Sequence, residues 1–150
     1  MLINNFVKTA ALACGLCLAA ATTTMAQAPG KHPSYLHALS DLRAARWMIQ
    51  HRPGNWLQTD FEMTAINQID AAINDIKKAS IFDGKNIDDH PQVDERNDHI
   101  GRLHEAHDFL KKARQDVNQE EDDPFTQGLK GRSIKHISAA LHAVDNAIHT

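Results

Sequence analysis

The sequence predicts an all-α protein, specifically an antiparallel four-helix bundle assembled from two related helical hairpins. Three observations predict it. Four stretches place apolar residues at steps of three and four, and no stretch alternates with period two for long enough to make a strand. Short polar turns join the first stretch to the second and the third to the fourth, whereas a longer Asp-rich link, 82–97, separates the two pairs.

The chain opens with a segment outside that pattern. Met1 to Val7 is followed by Lys8, by an apolar run from Ala10 to Ala21, and then by Thr22-Thr23-Thr24-Met25-Ala26. A short positive start, about a dozen apolar residues and a small-x-small site mark a secretory signal peptide, and the run falls short of the roughly 20 residues of a membrane span. Cleavage is expected after Ala26, because a cut after Ala28 leaves Pro29 at the new terminus. Residues 1–26 are thus a signal peptide, 27–33 an extended segment, and 34–150 one domain with hairpins over 34–81 and 98–149. No membrane span is expected after cleavage. Cys14 and Cys17 lie inside the removed run and are followed by Leu18, so a disulfide, a thiolate metal site or c-type haem attachment is not expected in the mature chain.

The first helix is expected over about Ser34 to His51, with Leu39, Leu42, Ala45 and Ile49 inward, stopped by Pro53-Gly54. The second, about Thr59 to Ile81, carries Ile66, Ile69, Ile73 and Ile76 in the same rhythm and stops at Asp83-Gly84. The third, about Asp98 to Asn118, uses Leu103, Ala106, Phe109 or Leu110, Ala113 and Val117. The fourth, about Pro124 to His149, uses Ile134, Ile137, Leu141, Val144 and Ile148, with Pro124 suited to a first turn behind Asp122-Asp123.

An internal repeat runs through these elements. Leu36-His37 and Asp41-Leu42 match Leu103-His104 and Asp108-Phe109 at an offset of 67 residues. Ile66-x-x-Ile69-x-Ala71-Ala72-Ile73-x-x-Ile76 matches Ile134-x-x-Ile137-x-Ala139-Ala140-Leu141-x-x-Val144 at an offset of 68. Two helix pairs agreeing at nearly one offset predict a duplicated hairpin, placed about a pseudo-two-fold axis, and make the twice-written Leu-His-x-x-x-Asp a trace of that duplication.

The His-Asp pairs are also the candidate chemistry. All 10 His lie beyond the signal peptide. His37 with Asp41, and His104 with Asp108, stand one turn apart, where a carboxylate can hold an imidazole in its charged form or orient it as a metal ligand. With His107 a turn from His104, the set His104, His107 and Asp108, with His37 and Asp41, is the candidate site for zinc, copper or nickel. Helix geometry argues against it: at about 100° per residue, His104 falls roughly 160° from the centre of its apolar stripe and His107 about 100°. The leading expectation is therefore no metal and no cofactor, with these groups on the surface. His136 flanks its stripe and is expected at a helix seam, while His142 and His149 are expected outside. Trp47 and Trp56 are expected to cover the bundle end. Glu120-Glu121-Asp122-Asp123 reads as a turn feeding negative charge into the next helix N-terminus.

Several functions are disfavoured by missing parts. With Lys8 removed, the 16 basic residues become 15 against 19 acidic ones, and no basic stripe serves nucleic acid or an anionic membrane. None of the five Glu (Glu62, Glu95, Glu105, Glu120, Glu121) has a His three residues on, as di-iron bundles require. The 83–89 stretch lacks the ligand spacing of an EF-hand. Met48 and Met63 leave a haem b held by Met and His open, though nothing points to it. G-x-S-x-G, H-E-x-x-H and a phosphate-cradling glycine loop are absent, and no enzymatic activity is expected.

An export signal followed by a small helical domain resembles a broad set of small exported bacterial all-α proteins of no established role. The chain lacks the repeated Leu-Thr-x-x-Gln of the Spy-related periplasmic stress chaperones. The resemblance implies a periplasmic or secreted binding or interaction protein, its partner a protein or small molecule, with a homodimer open. The alternative is a periplasmic His-based transition-metal binder.

Overall fold

The computed structural model describes residues 33–51, 57–81, 98–120 and 128–150. Residues 1–26, where a signal peptide is expected, Pro53-Gly54, Trp56, the 82–97 link and Pro124 lie outside the described residues. Four helices are seen: α1 Pro33–Gln50, α2 Asp60–Ile81, α3 His99–Gln119 and α4 Leu129–Ile148. The protein is an all-α four-helix bundle.

Each start has a local cause. Pro33 occupies the first position of α1, where its missing N–H costs nothing. Thr59 and Glu62 form a reciprocal capping box on α2: Glu62 Oε2 accepts from the Thr59 N–H at 2.7 Å, and Thr59 Oγ1 accepts from the Glu62 N–H at 3.2 Å. Asp98 caps α3 by accepting from the Gly101 N–H at 2.7 Å. The start of α4 differs from expectation. Gly128 stands at its N-cap with φ of 76°, a left-handed conformation in which a helix cannot continue, so α4 begins at Leu129 and not near Pro124.

Of the expected inward residues, Leu39, Leu42, Ala45, Ile49, Ile66, Ile69, Ile73, Ile76, Leu103, Ala106, Leu110, Ala113, Val117, Ile137, Leu141 and Val144 are buried. Leu110, not Phe109, takes the core position; Phe109, Ile134 and Ile148 pack against the core from its edge. Met48 is also in this core and Met63 is exposed.

α1 and α4 each pack against α2 and α3, which leaves α1 diagonal to α4 and α2 diagonal to α3. Every adjacent pair is antiparallel: the start of α1 meets the end of α3 through Ser34 and Glu120, and Asp75 late in α2 meets Arg132 early in α4. α2 therefore ends and α3 begins at opposite ends of the bundle, a return that the 16 residues of 82–97 have the length to make.

Burial repeats at a single offset of 68 in both helix pairs. Tyr35, Ala38, Leu42, Ala45 and Ile49 of α1 correspond to Leu103, Ala106, Leu110, Ala113 and Val117 of α3, all buried. Ala65, Ile69, Ala72, Ile73 and Ile76 of α2 correspond likewise to Ser133, Ile137, Ala140, Leu141 and Val144 of α4. Small residues recur seven apart in each helix, at 38 and 45, 65 and 72, 106 and 113, and 133 and 140. That spacing lets the partners α1/α3 and α2/α4 approach closely. The offset of 67 that aligns the two Leu-His motifs is one residue out of this register. His37 corresponds to Glu105 and Asp41 to Phe109, so the twice-written His-Asp pair is not a pair of equivalent positions.

Candidate functional site

The structure divides the His-Asp set between two seams. His37 is exposed on α1 and Asp41 is half-buried, facing α3. Burial raises the Asp41 pKa above its usual value, Asp116 of α3 raises it further, and Lys112 and His37 oppose both. Asp116 is raised by burial too, against His37 and Lys112. His37, Asp41, Lys112 and Asp116 thus form one charged cluster across the α1–α3 seam. Asp116 lies twelve residues from His104, about 18 Å along α3.

His104 is exposed, on the side that the helical wheel gave it. His107 turns to the other seam, its Nε2 3.3 Å from Asp145 Oδ1 of α4 and its Nδ1 3.9 Å from Asp108 Oδ1. The candidate ligands therefore do not converge. Among the described residues no three His, Cys, Asp or Glu side chains are grouped to hold a metal ion.

Other His serve the frame. His136 Nδ1 lies 2.8 Å from Gln68 Oε1 across the α2–α4 seam. His142 and His149 are exposed. Trp47 packs on the core edge, stacks on His51 at 4.1 Å between centroids, and has the Arg102 guanidinium 5.5 Å from its ring centre.

Sequence reasoning missed the buried charges at the helix ends. Glu62 is fully buried; besides capping α2, its Oε1 accepts from His99 Nε2 at 2.7 Å, which ties the start of α2 to the start of its diagonal partner α3. Thr59-x-x-Glu62 was a readable signal for the cap. The His99 contact, 37 residues away, was not. Of the expected acidic turn 120–123 only Glu120 is among the described residues, and its Oε1 accepts from the Ser34 and Tyr35 N–H groups at 2.6 and 3.2 Å, at the N-terminus of α1. Arg102, 7% exposed, donates to the His51 carbonyl at the other end of α1. A carboxylate at the N-terminus and a guanidinium at the C-terminus both match the helix dipole.

One open depression, about 440 Å³, lies on the α3–α4 face, lined by Lys111, Arg114, Gln115, Asn118 and Ile134. No family model, curated protein or solved structure matches the chain.

Proposed function

We propose that this chain is an exported helical-bundle binding protein of the periplasm or extracellular space, with no catalytic role of its own. The observation that carries the reading is the placement of exposed apolar side chains. Among the described residues the exposed large hydrophobics are Leu57 (91%), Phe61 (41%), Met63 (45%) and Ile100 (43%), and all four stand at the end where α2 and α3 begin. A concentration of apolar surface at one pole is the mark of a surface that meets another molecule. Of the charged groups at that pole, Glu62, His99 and Arg102 are engaged in holding helix ends together. The metal alternative ranks behind, because His107 is turned to Asp145 and away from the α1–α3 cluster.

Two experiments test the reading. A photo-crosslinking residue placed at Leu57 or Phe61 in cells is expected to trap a discrete adduct that the same residue at His142 does not. The absence of any adduct specific to the apolar pole would refute it. For export, residues 1–26 fused to alkaline phosphatase are expected to yield active enzyme outside the cytoplasm; activity no higher than a leaderless fusion would refute that half.

A further inference from the structure

The depression on the α3–α4 face has a counterpart on the α1–α2 face, because the bundle repeats at an offset of 68. Its lining residues Lys111, Arg114, Gln115, Asn118 and Ile134 correspond to Arg43, Arg46, Trp47, Gln50 and Ile66. In the first hairpin that place is filled. Arg46 makes a two-point contact with Asp70, Nε to Oδ1 at 2.6 Å and Nη2 to Oδ2 at 3.2 Å, and its Nη1 donates to Gln50. Trp47 lies beside it on the core edge.

The second hairpin keeps the cations and loses what satisfies them. Asp70 is replaced by Ser138 and Trp47 by Gln115. Arg114 meets no carboxylate among the described residues, and Lys111 has only the exposed Asp108 one turn back, at 3.9 Å. The floor, Ile134, is the same residue as its counterpart Ile66. What is missing, relative to the filled hairpin, is one carboxylate and one flat aromatic body.

We propose that this depression binds a small aromatic carboxylate. Its carboxylate takes the place of the Asp70 side chain against the Arg114 guanidinium, and its ring lies against Ile134 beside Gln115, the position that Trp47 holds in the first hairpin. Lys111 adds a second positive charge, and the amides of Gln115 and Asn118 complete the polar rim. A guanidinium suits a carboxylate in a two-point geometry that a lone ammonium does not supply. The volume lies within the range of small-molecule sites. The inference is independent of the apolar pole and stands or falls separately from it.

Indole-3-acetate carries both missing groups and is the probe. Isotope-labelled protein, residues 27–150, is titrated by NMR while the Arg114 side-chain N–H and the backbone amides of Gln115 and Ser138 are followed. Saturable shifts confined to this face are expected, with inorganic phosphate and neutral indole each at least about tenfold weaker. Ser138→Asp restores the internal carboxylate and is expected to weaken the probe at least about tenfold; Arg114→Gln, an exposed position, gives the same loss without adding a charge to the seam. No saturation by roughly 10 mM overturns the proposal. So does binding that ignores both variants, and so does phosphate binding as tightly as the probe, since charge alone would then explain it.

Discussion

Glu120→Ala separates the two hairpins at the point where one caps the other. The Glu120 carboxylate is 6% exposed and accepts from Ser34 N–H at 2.6 Å and Tyr35 N–H at 3.2 Å. The shorter contact is charge-assisted and contributes roughly 1.5–3 kcal/mol net; the longer contributes about 1 kcal/mol. The helix-dipole term is the same interaction under another name and is not added. Ser34 is half-buried, so water replaces its lost acceptor, whereas Tyr35 is fully buried and its N–H loses its partner. Against this stands the cost of burying the carboxylate itself, which the variant recovers. The sum is a loss of about 2–3 kcal/mol for Glu120→Ala, and about 1 kcal/mol for Glu120→Gln, which keeps an acceptor oxygen and the shape. For a chain of this size in urea, with a slope of roughly 1.5 kcal/mol/M, the alanine variant should unfold about 1.3–2 M earlier. Circular dichroism at 222 nm of residues 27–150 at pH 7 reads it. An alanine variant within about 0.5 kcal/mol of wild type, or a glutamine variant as damaged as alanine, would refute the reasoning.

Three further perturbations follow from the same structure. Arg102→Ala removes the donor to the His51 carbonyl and the cation over Trp47, and is expected to cost about 2 kcal/mol with a change in tryptophan emission; unchanged emission would remove the contact from the account. Ser133→Ala should stabilise by about 1 kcal/mol, since the buried Ser133 hydroxyl has no hydrogen-bond partner among the described residues and its counterpart is already Ala65; a lower urea midpoint would contradict this. Asp41→Asn tests the α1–α3 cluster. Because the folded pKa of Asp41 is raised above 3.8, the folded state holds its proton longer than the unfolded chain, and stability falls as pH rises through that window. The asparagine variant should therefore be the more stable at pH 7, with the gap closing below about 3.8 in urea melts across pH; a gap independent of pH, or of opposite sign, would refute it.

Helix existence and inward faces were legible because burial of an apolar stripe at period 3.6 is a local property of the chain. Ile66, Ile69, Ile73 and Ile76 could face nowhere else. Phe109 against Leu110 was undecidable locally, because adjacent residues differ by only about 100° and the neighbouring helix chooses between them. The α4 start was misread because Pro124 is permissive at a first turn, whereas the left-handed backbone of Gly128 is prohibitive and decided the matter. The buried charges were hidden for a different reason. Glu120 and Ser34 are 86 residues apart, and nothing near either one records the other. The His-Asp motif misled in the opposite way: it is conspicuous as a string, yet its register is one residue away from the packing repeat, so the string coincides where the structure does not.

The repeat also explains why the polar ends are not copies of one another. Two hairpins related by an offset of 68 must present the same small and large residues to a shared core, which is why Ala38/Ala106, Leu42/Leu110 and Ile69/Ile137 agree. At the helix ends the equivalent positions carry different side chains. Position 62 holds a buried carboxylate that caps its own helix and reaches His99. The equivalent position, 130, holds Lys130, whose Nζ donates to the Asn118 and Glu120 carbonyls at the end of α3 at 2.8 and 2.7 Å. The two side chains have opposite charge and serve opposite helix ends, and each is matched to its own partner by the dipole. The Lys130 contacts stay within the second hairpin, whereas the Glu62–His99 contact joins one hairpin to the other. The core is nearly the same in both halves and cannot tell them apart, so the contacts that distinguish one hairpin from the other, Glu62 with His99, Glu120 with Ser34 and Arg102 with His51, lie at the ends.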